Sequence, residues 1–409
     1  MCFSQCNSSQ NSSSKLQYLL IVPVVMIAAL LLQPSAMPER LKELSPDSYN
    51  HRVYVLDPRG RTQQAELLVL RADTGKLIKV IPVGWGANFA LSPNGGLLFV
   101  ISRLRPESNS HKLEVIDAAS GNILDSQDVF DRHDYTTLVP TSDIMVSPDG
   151  AFVYILKRHS TPITQEPGAA SMDQYSVAVY DVNQRRFTDN IPVTGDCLRT
   201  HVVVSPSALH VLCSAMNEVF SFPSTADGFD LRPRSISLPG PPRLVLNKIS
   251  RTTATTTTVH PAFIGGALSV DGAILTIATS YMRFFQIDTS TEKLVRDKQV
   301  LDDRWAMPDT LLLSPDGTRF YVAVGPISQL NRAPGVHEIL VIDAQTLAQI
   351  STIHIAEAFH SLSMSKDGHF LYAVSPSTTS IHIIDGNQRR EVRTFTAVGI
   401  TPARLEAGP

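Results

Sequence analysis

Apolar and polar residues alternate along most of the chain in short runs, each closed by a turn rich in Ser, Pro, Asp or Gly. Alternation with a period of two residues is typical of β-strands that bury one face. The clearest phrase is Ser-Pro-Asp-Gly, or Ser-Pro-Asn-Gly, followed by an apolar strand, and its strong copies start at Leu91, Val146 and Leu313. Weaker copies start at Val204, Leu268 and Met364. These six copies recur about every 50 residues and indicate an internal repeat.

A second phrase lies between these copies: an alternating strand that usually ends in Asp, then a polar turn and another strand. Its seven copies start at Leu67, Leu113, Val177, Val219, Arg283, Ile339 and Ile381. Seven second halves require seven first halves, but only six are internal. We therefore expect the opening strand His51 to Asp57 to supply the seventh, with an inner strand from the carboxyl-terminal segment around Gly399 to Arg404.

Each repeat predicts a four-stranded antiparallel sheet, which alone would expose both of its faces. Seven such sheets around an axis bury nearly all of those faces and leave only short edges. A solenoid would need polar capping repeats, and a half-unit at each end of the chain argues against it. The predicted fold is all-β, a seven-bladed β-propeller of four-stranded antiparallel sheets.

The amino-terminal region differs from the repeats. Residues 1–15 form a polar tail, and Leu16 to Leu32 carries no charge. This run is longer than an ordinary signal-peptide core and slightly shorter than a bilayer span. Residues 16–36 are therefore either a cleaved signal peptide or a membrane anchor, and both alternatives stay open. Residues 37–50 would be a linker.

Either alternative places the propeller, residues 51–409, outside the cytoplasm, in the periplasm or on the outer cell surface. The protein would then be secreted or membrane-anchored, and it would touch the membrane only through residues 16–33.

Composition agrees with a folded chain and narrows its partners. Of the 409 residues, 43% are hydrophobic, which is enough to form a buried core, and 18% are charged. Lys and Arg number 35 against 38 Asp and Glu, so no basic excess is available to neutralise a phosphate backbone. This balance argues against a nucleic-acid partner.

Two of the four cysteines lie in the predicted propeller. Cys197 and Cys213 stand eight residues on either side of Ser205, in the turn of one predicted hairpin. Facing residues on two strands can bring their Cα atoms to the roughly 4.4–6.8 Å that a disulfide needs. An exported chain would also meet an oxidising compartment. We expect a Cys197–Cys213 disulfide, with two buried free thiols as the alternative.

Several polar and aromatic residues fall where propellers expose their axial face. These candidates for a ligand- or partner-binding face are His133, Tyr135, Arg158, His159, His260, Arg304, Trp305 and His360. His133, Tyr135, Arg304 and Trp305 lie in predicted connections between blades. His260 and His360 directly precede predicted inner strands. No catalytic residue can be named, since no GxSxG, P-loop or paired-carboxylate motif occurs. The twelve histidines show no zinc-ligand spacing, so no metal is predicted.

The YVLD, LLFVIS and SPDG phrases resemble the YVTN class of bacterial propellers. A more specific likeness, over most of residues 52–404, is to the heavy subunit of quinoprotein amine dehydrogenases of the methylamine type. The matching residues are Arg52-Val-Tyr-Val55, Asp57-Pro58, Thr62-Gln-Gln64, the stretch from Val193 through Asp196-Cys197 to Cys213, His260-Pro261-Ala262, Gln286-Ile-Asp288, Val341-Ile-Asp343-Ala344 and Leu371-Tyr-Ala-Val374.

This resemblance implies a non-catalytic subunit without a cofactor of its own. In the family, such a subunit pairs in the periplasm with a small light chain that carries a tryptophan-derived quinone. The sequence departs from the family in two places. Only Arg59-Gly60-Arg61 separates Pro58 from Thr62, where the family has a longer segment with an aromatic residue directed at the substrate channel, and the segment Pro239 to Val259 is unlike the family.

The sequence therefore favours an exported, non-catalytic propeller subunit or binding scaffold related to the amine dehydrogenase heavy chain. Two alternatives from other classes remain. One is a lactonase-type propeller hydrolase, which uses acidic, basic and His side chains on the axial face. The other is a stand-alone YVTN module that binds a small-molecule ligand.

Overall fold

A computed structural model of the chain describes most of the predicted propeller. The described residues are 52–59, 63–105, 111–129, 136–138, 144–162, 171–193, 197, 200–225, 228–240, 244–249, 254–259, 262–326 and 335–408. The chain divides into two units, Met1–Ser45 and Pro46–Pro409. The first unit, with the predicted tail and hydrophobic segment, lies outside the described residues. Within the described ranges, no helix is long and apolar enough to cross a membrane.

Seven antiparallel sheets form the blades of a propeller, which confirms the predicted fold. Their strands are, for blade 1, β1 (Arg52–Asp57), β2 (Glu66–Arg71), β3 (Leu77–Pro82) and β33 (Arg404–Ala407); for blade 2, β4 (Trp85–Leu91), β5 (Leu97–Arg103), β6 (His111–Asp117) and β7 (Ile123–Asp128); for blade 3, β8 (Thr136–Leu138), β9 (Ile144–Val146), β10 (Phe152–Pro162), β11 (Ser171–Asp181) and β12 (Arg186–Val193); for blade 4, β13 (Thr200–Val204), β14 (Ala208–Cys213), β15 (Glu218–Thr225), β16 (Gly228–Phe229) and β17 (Arg234–Ser237); for blade 5, β20 (Phe263–Leu268), β21 (Ile274–Thr279), β22 (Arg283–Asp288) and β23 (Lys293–Gln299); for blade 6, β24 (Arg304–Ala306), β25 (Leu312–Leu313), β26 (Arg319–Pro326), β27 (Val336–Asp343) and β28 (Gln349–Phe359); and for blade 7, β29 (Ser361–Met364), β30 (Phe370–Ser375), β31 (Ser380–Asp385) and β32 (Arg390–Phe395).

Three blades depart from the regular pattern. The inner strand of blade 3 is divided into β8 and β9, and that of blade 6 into β24 and β25. In blade 4, both β16 and β17 pair with β15. A separate hairpin of β18 (Leu244–Ile249) and β19 (Ala254–Val259) follows blade 4, within the segment that is unlike the family.

The core is shared between neighbouring blades rather than enclosed within each one. One apolar cluster joins Leu67 of blade 1 to Phe89 and Leu98 of blade 2. Another joins Val55 of blade 1 to Ile383 of blade 7, so blade 1 packs on both of its neighbours. Burying both faces of every sheet in this way removes most of the apolar surface from water.

The ring closes where the sequence predicted, by antiparallel pairing of β1 with a carboxyl-terminal strand. Val55 lies opposite Leu405 in that ladder. The buried Asp57 carboxylate fastens the preceding segment, because it accepts hydrogen bonds from the backbone nitrogens of Ile400 at 2.7 Å and Thr401 at 3.0 Å. Gly399 adopts φ +72°, and a Cβ there would lie 2.5 Å from Asp57 Oδ2.

The predicted bounds of the closing strand were wrong. The strand is Arg404–Ala407 rather than the segment from Gly399 to Arg404. The residues before Arg404 form the turn that docks on Asp57, so the ladder can begin only after them.

The Ser-Pro-Asp-Gly phrase forms a closed hydrogen-bonded turn. In blade 3, Ser147 Oγ donates to Asp149 Oδ1 at 2.5 Å and accepts from the Phe152 nitrogen at 2.9 Å. Asp149 also accepts from the Ala151 nitrogen at 3.0 Å, and Gly150 follows with φ +75°. The phrase recurs because Ser and Asp satisfy the turn's backbone and only Gly reaches this φ without strain.

Cys197 and Cys213 form a disulfide with a Cα–Cα distance of 4.4 Å, as predicted. The reason given from the sequence was wrong in detail. The hairpin is not centred on Ser205: Cys213 lies opposite Thr200 in the ladder, and Cys197 precedes β13. The bond therefore ties the end of β14 to the segment that enters blade 4.

Closure of the ring can be tested at Leu405, which is 2% exposed. We expect Leu405→Ala to lower the free energy of unfolding by about 2–5 kcal/mol, because it leaves a cavity at the seam. Urea unfolding followed by circular dichroism measures the change. Ile400→Ala is the matched control, since Ile400 is 57% exposed and its truncation should cost less than about 0.5 kcal/mol. Equal effects of the two variants would contradict the packing at the seam.

The disulfide gives a second test. Its two cysteines are 16 residues apart, and on the chain-entropy model a loop of this length contributes about 3 kcal/mol. The free energy of unfolding of the variant Cys197→Ala/Cys213→Ala should be lower than that of wild type by this amount. Reduced wild type should have the same free energy of unfolding as the variant. Intact mass should rise by about two hydrogen masses on reduction. An unchanged mass would show that the bond is not formed.

Candidate functional site

A cavity of about 470 Å³ lies among the inner strands of blades 1, 2, 6 and 7. We call it the channel cavity, and it is lined by Leu91, Ser92, Pro93, Pro308, Asp309, Leu312, His360 to Met364, Lys366 and Ala403 to Ala407. Because the inner strands of a propeller surround its axis, this cavity belongs to the central channel. Its walls carry both acidic and basic groups, which makes it the strongest candidate site.

Asp309 reaches this cavity because the inner strand of blade 6 is interrupted. Pro308 and Asp309 lie between β24 and β25, and Asp309 adopts φ +59°, which Asp tolerates better than most residues. The buried Thr310 repairs the interruption: its hydroxyl donates to the Met307 carbonyl at 2.7 Å and accepts from the Ala323 nitrogen at 3.3 Å. The break is thus a stable feature that directs a carboxylate toward the channel.

His201, the second residue of β13, pairs with this carboxylate. Its Nδ1 lies 3.3 Å from Asp309 Oδ1, and its Nε2 lies 2.9 Å from the Phe263 carbonyl oxygen. A carbonyl oxygen only accepts, so Nε2 must carry a proton. Nδ1 is the ring nitrogen that faces the Asp309 carboxyl group.

The second charged pair comes from the closing strand β33. Arg404 Nη2 lies 3.1 Å from Glu406 Oε1, and Arg404 Nη1 donates to Asn88 Oδ1 at 2.6 Å. Its guanidinium carbon lies 5.9 Å from the centre of the Phe89 ring. Glu406 Oε2 accepts from the Leu91 nitrogen at 2.8 Å. Blades 1 and 2 therefore hold an Arg–Glu pair in a fixed orientation on the channel wall.

Burial sets the protonation of the two carboxyl groups. Desolvation raises the pKa of Asp309, and the charges of His201 and Arg404 oppose this increase. Desolvation likewise raises the pKa of Glu406 against the charge of Arg404 and the Leu91 hydrogen bond. Both side chains still meet the cavity, with 36% of Asp309 and 23% of Glu406 accessible. Burial lowers the pKa of His360 in the same wall, which favours its neutral form.

This arrangement places an acid–base group and a cation in one cavity. Asp309, whose pKa is raised, can take up or release a proton, and the Arg404 guanidinium supplies a positive charge near it. Groups with opposed environments of this kind are the usual means of acid–base chemistry and of orienting a polar ligand. Among the described residues, no group of three or more His, Cys, Asp or Glu side chains could hold a metal ion.

Three of the residues predicted for the binding face lie outside the described residues, namely His133, Tyr135 and His260. Two more lie side by side on β10: Arg158 is opposite Tyr175, and the backbone of His159 is opposite Gln174. Neither lines the channel cavity.

Arg304 and Trp305 belong to the inner strand β24, not to a connection as predicted. Arg304 pairs with Glu338 at 3.1 Å and with Asp303 at 2.6 Å. Trp305 is buried in the core of blades 6 and 7 beside Val336 and Phe359, so its position corrects the expectation of an exposed loop residue. Strand β24 includes these residues because it pairs with β26, with Ala306 opposite Val324.

His360 is the predicted residue that lines the channel cavity. It directly precedes β29, as expected, and its nitrogen donates to the Val374 carbonyl at 2.8 Å. A Cβ added at Gly335 would lie 2.7 Å from its ring, so the ring packs closely on the β26–β27 connection.

Sequence reasoning missed the charged residues that line the cavity, Asp309, Arg404 and Glu406, and the two side chains that hold them, His201 and Asn88. Two signals were available. Pro308 interrupts an inner strand just before Asp309, and Arg404 and Glu406 alternate on the segment predicted to close the ring. Neither signal specifies which groups meet across the axis.

Comparison with known proteins gives a family and a set of similar folds. The family model of the methylamine dehydrogenase heavy chain matches residues 49–406. A search of curated proteins finds no match.

Among solved structures, a functionally unknown protein from Desulfotomaculum acetoxidans has a TM-score of 0.61 at 14% identity, covering 87% of this chain and 98% of its own. A "putative 6-phosphogluconolactonase" from Bacteroides fragilis has a TM-score of 0.57 at 12% identity, covering 90% and 100%. Dihydro-heme d1 dehydrogenase NirN has a TM-score of 0.50 at 15% identity, covering 88% and 66%. At these identities the likeness shows the fold alone.

The pKa values in the channel predict a pH dependence of stability. A group whose pKa is raised on folding stabilises the fold below its unfolded pKa and loses that contribution as the pH rises through the folded value. Compared with wild type, the variant Asp309→Asn/Glu406→Gln should therefore gain stability as the pH rises from about 4 to about 7. Urea unfolding at stepped pH measures the difference, and a difference independent of pH would contradict it.

Asp288→Asn is a control of opposite sign. Hydrogen bonds from Ser290 and Thr291 lower the pKa of Asp288 to about 2. Its contribution to stability is present above the unfolded pKa and is lost as the pH falls through the folded value. This variant should be less stable than wild type at neutral pH, and the deficit should shrink below about pH 4.

Proposed function

The chain belongs to the methylamine dehydrogenase heavy chain family, and we propose that it is an exported, non-catalytic propeller subunit that supports a separate light chain. The observation that carries this proposal is the family match over residues 49–406, which spans all seven blades rather than a single repeat. The export step would use residues 16–36, as a signal peptide or an anchor. The tryptophan-derived quinone of the family would reside in the light chain.

The architecture suits a supporting role. Apolar clusters shared by adjacent blades make the ring a rigid body, and connections anchored on packed strands lose little entropy when they bind a partner. The face that includes Arg158, the predicted His133 and Tyr135, and the connections near Arg304 would contact that partner. Shape and charge, rather than bond chemistry, would be this subunit's contribution.

A second candidate is a lactonase-type hydrolase, and the channel cavity favours it. Asp309, which is paired with His201, lies near the Arg404 guanidinium, so a general base and a cation that could stabilise an oxyanion line one cavity. The same groups would equally serve a stand-alone binding module for a polar ligand. Activity measurements separate these three functions.

The full chain, purified in mild detergent, should catalyse neither dye-linked oxidation of primary amines nor hydrolysis of a panel of sugar lactones. When the protein is isolated from its native cells, a small chain that stains for a redox-active quinone should co-purify with it. Amine oxidation by the single chain would overturn the non-catalytic assignment. Lactone hydrolysis that is lost in Asp309→Asn, with Asp288→Asn as the control, would favour the hydrolase.

A further inference from the structure

The Ser-Pro-Asp-Gly turns of neighbouring blades pack against one another. A Cβ added at Gly150 of blade 3 would lie 3.5 Å from Cδ of Pro93 in blade 2, and one at Gly368 of blade 7 would lie 2.7 Å from Cδ of Pro315 in blade 6. Gly272 of blade 5 meets the turn of blade 4 in the same way. In these three pairs the glycine lies on the proline of the preceding blade, and in blade 6 Gly317 lies likewise on Val270 of blade 5, so the contact closes the gap between the two turns.

The turn of blade 4 lacks two residues of this phrase. In blade 3 the Ser147 nitrogen bonds the Phe152 carbonyl, whereas in blade 4 the Ser205 nitrogen bonds the Ala208 carbonyl. Ser-Pro-Ser-Ala thus replaces Ser-Pro-Asp-Gly-Ala-Phe, so the Asp-Gly pair is missing. The blade 4 turn therefore has no glycine to lie on Pro148.

A cleft of about 560 Å³ opens at this position between blades 3 and 4. We call it the blade 3–4 cleft, and its lining residues are Ser147, Pro148, Asp149, Phe152, Tyr154, Val179, Asp181, Gln184, Thr188, Asp189, Val204, Ser205, Pro206, Ser224, Thr225, Gly228 and Phe229. It lies on the side of the ring that carries the Ser-Pro-Asp-Gly turns. None of its residues lines the channel cavity.

Three carboxylates, and no Lys or Arg, belong to this described lining. Each uses Oδ1 for a backbone nitrogen: Asp149 for Ala151 at 3.0 Å, Asp181 for Asn183 at 2.8 Å and Asp189 for Asn190 at 2.7 Å. Their Oδ2 atoms have no such bond in the described part of the chain. Hydrogen bonds from Ser147 and Ala151 lower the pKa of Asp149, so this carboxylate is ionised at neutral pH.

The Tyr154 hydroxyl adds a neutral polar group to the cleft wall. The Tyr154 residue is 3% exposed and lines the cleft, and its hydroxyl forms no hydrogen bond within the described residues, so it is available to a ligand there. Burial, and then the charge of Asp149, raises the pKa of Tyr154, so the phenol stays protonated and lies near that carboxylate. At the equivalent position in blade 6, Tyr321 Oη packs on the next blade, where a Cβ at Gly386 would lie 3.3 Å away.

The cleft also has an aromatic wall. The Phe229 ring lies 6.0 Å from the Tyr154 ring in an edge-to-face arrangement. Phe229 belongs to β16, the short strand that distinguishes blade 4 from the regular repeat. The same blade therefore loses the residues that would close the cleft and gains a residue that lines it.

We propose that the blade 3–4 cleft binds a small organic cation with N–H donors, such as an alkylammonium or a guanidinium group. The cation would donate to the free carboxylate oxygens of Asp149 and Asp189 and to the Tyr154 hydroxyl, while its apolar part lies against Phe229. The cleft shares no lining residue with the channel cavity, and cation binding there does not depend on the proposed light-chain role.

Calorimetric titration of the full chain with n-butylammonium chloride at low ionic strength tests the proposal. We expect one saturable site, weakened about tenfold in Asp189→Asn and about fivefold in Tyr154→Phe. Tyr372→Phe is the matched control, because Tyr372 holds the same place in the blade 7 repeat, and its affinity should equal that of wild type. The neutral isostere n-butanol and the donor-free cation tetramethylammonium should bind more weakly.

Restoring the repeat gives a second test. Insertion of Asp-Gly between Pro206 and Ser207 recreates the Ser-Pro-Asp-Gly phrase, so the new glycine should lie on Pro148 and abolish binding. Circular dichroism shows whether the insertion variant is folded. If it is not folded, the variants Asp189→Asn and Tyr154→Phe decide the proposal. Absence of a saturable site, equal binding of n-butanol, or full binding by the folded insertion variant would overturn the proposal.

Discussion

Strand β33 pairs with β1 at the seam of the ring, and this pairing joins residues that are about 350 positions apart in the chain. Without it, blade 1 would lack its inner strand, and the apolar faces shared with blades 2 and 7 would be exposed. Asp57 anchors the turn that leads into β33, which fixes where the ladder begins. The same strand carries Arg404 and Glu406 to the channel wall, so closure of the fold and assembly of the cavity are one event.

The turns between the first two strands of each blade impose a second constraint. Their Ser and Asp side chains satisfy the turn backbone, and in blades 3, 5 and 7 their Gly packs on the Pro of the preceding blade. Where this contact forms, it leaves little room for a ligand between the two turns. Blade 4 lacks two residues of the turn, and a cleft opens beside it, whereas the strands on either side keep their register.

The channel cavity has a different origin. Its carboxyl groups come from an interrupted inner strand in blade 6 and from the closing strand of blade 1, and each is held beside a basic side chain. Removing carboxylates from water costs free energy, which such pairing offsets only in part, as the raised pKa values of Asp309 and Glu406 show. A ring that needed only stability could fill these positions with apolar residues.

The sequence by itself determined the blade number, the closure of the ring and the disulfide partners. These depend on periodicity, on turn chemistry and on the count of half-repeats, all of which are local properties of the chain. It did not place Trp305, whose strand continues into the core, and it did not identify His201 or Asp309 as a pair. Those residues are 108 positions apart and belong to blades 4 and 6. Only the tertiary structure decides such contacts, because they depend on which inner strands face one another across the axis.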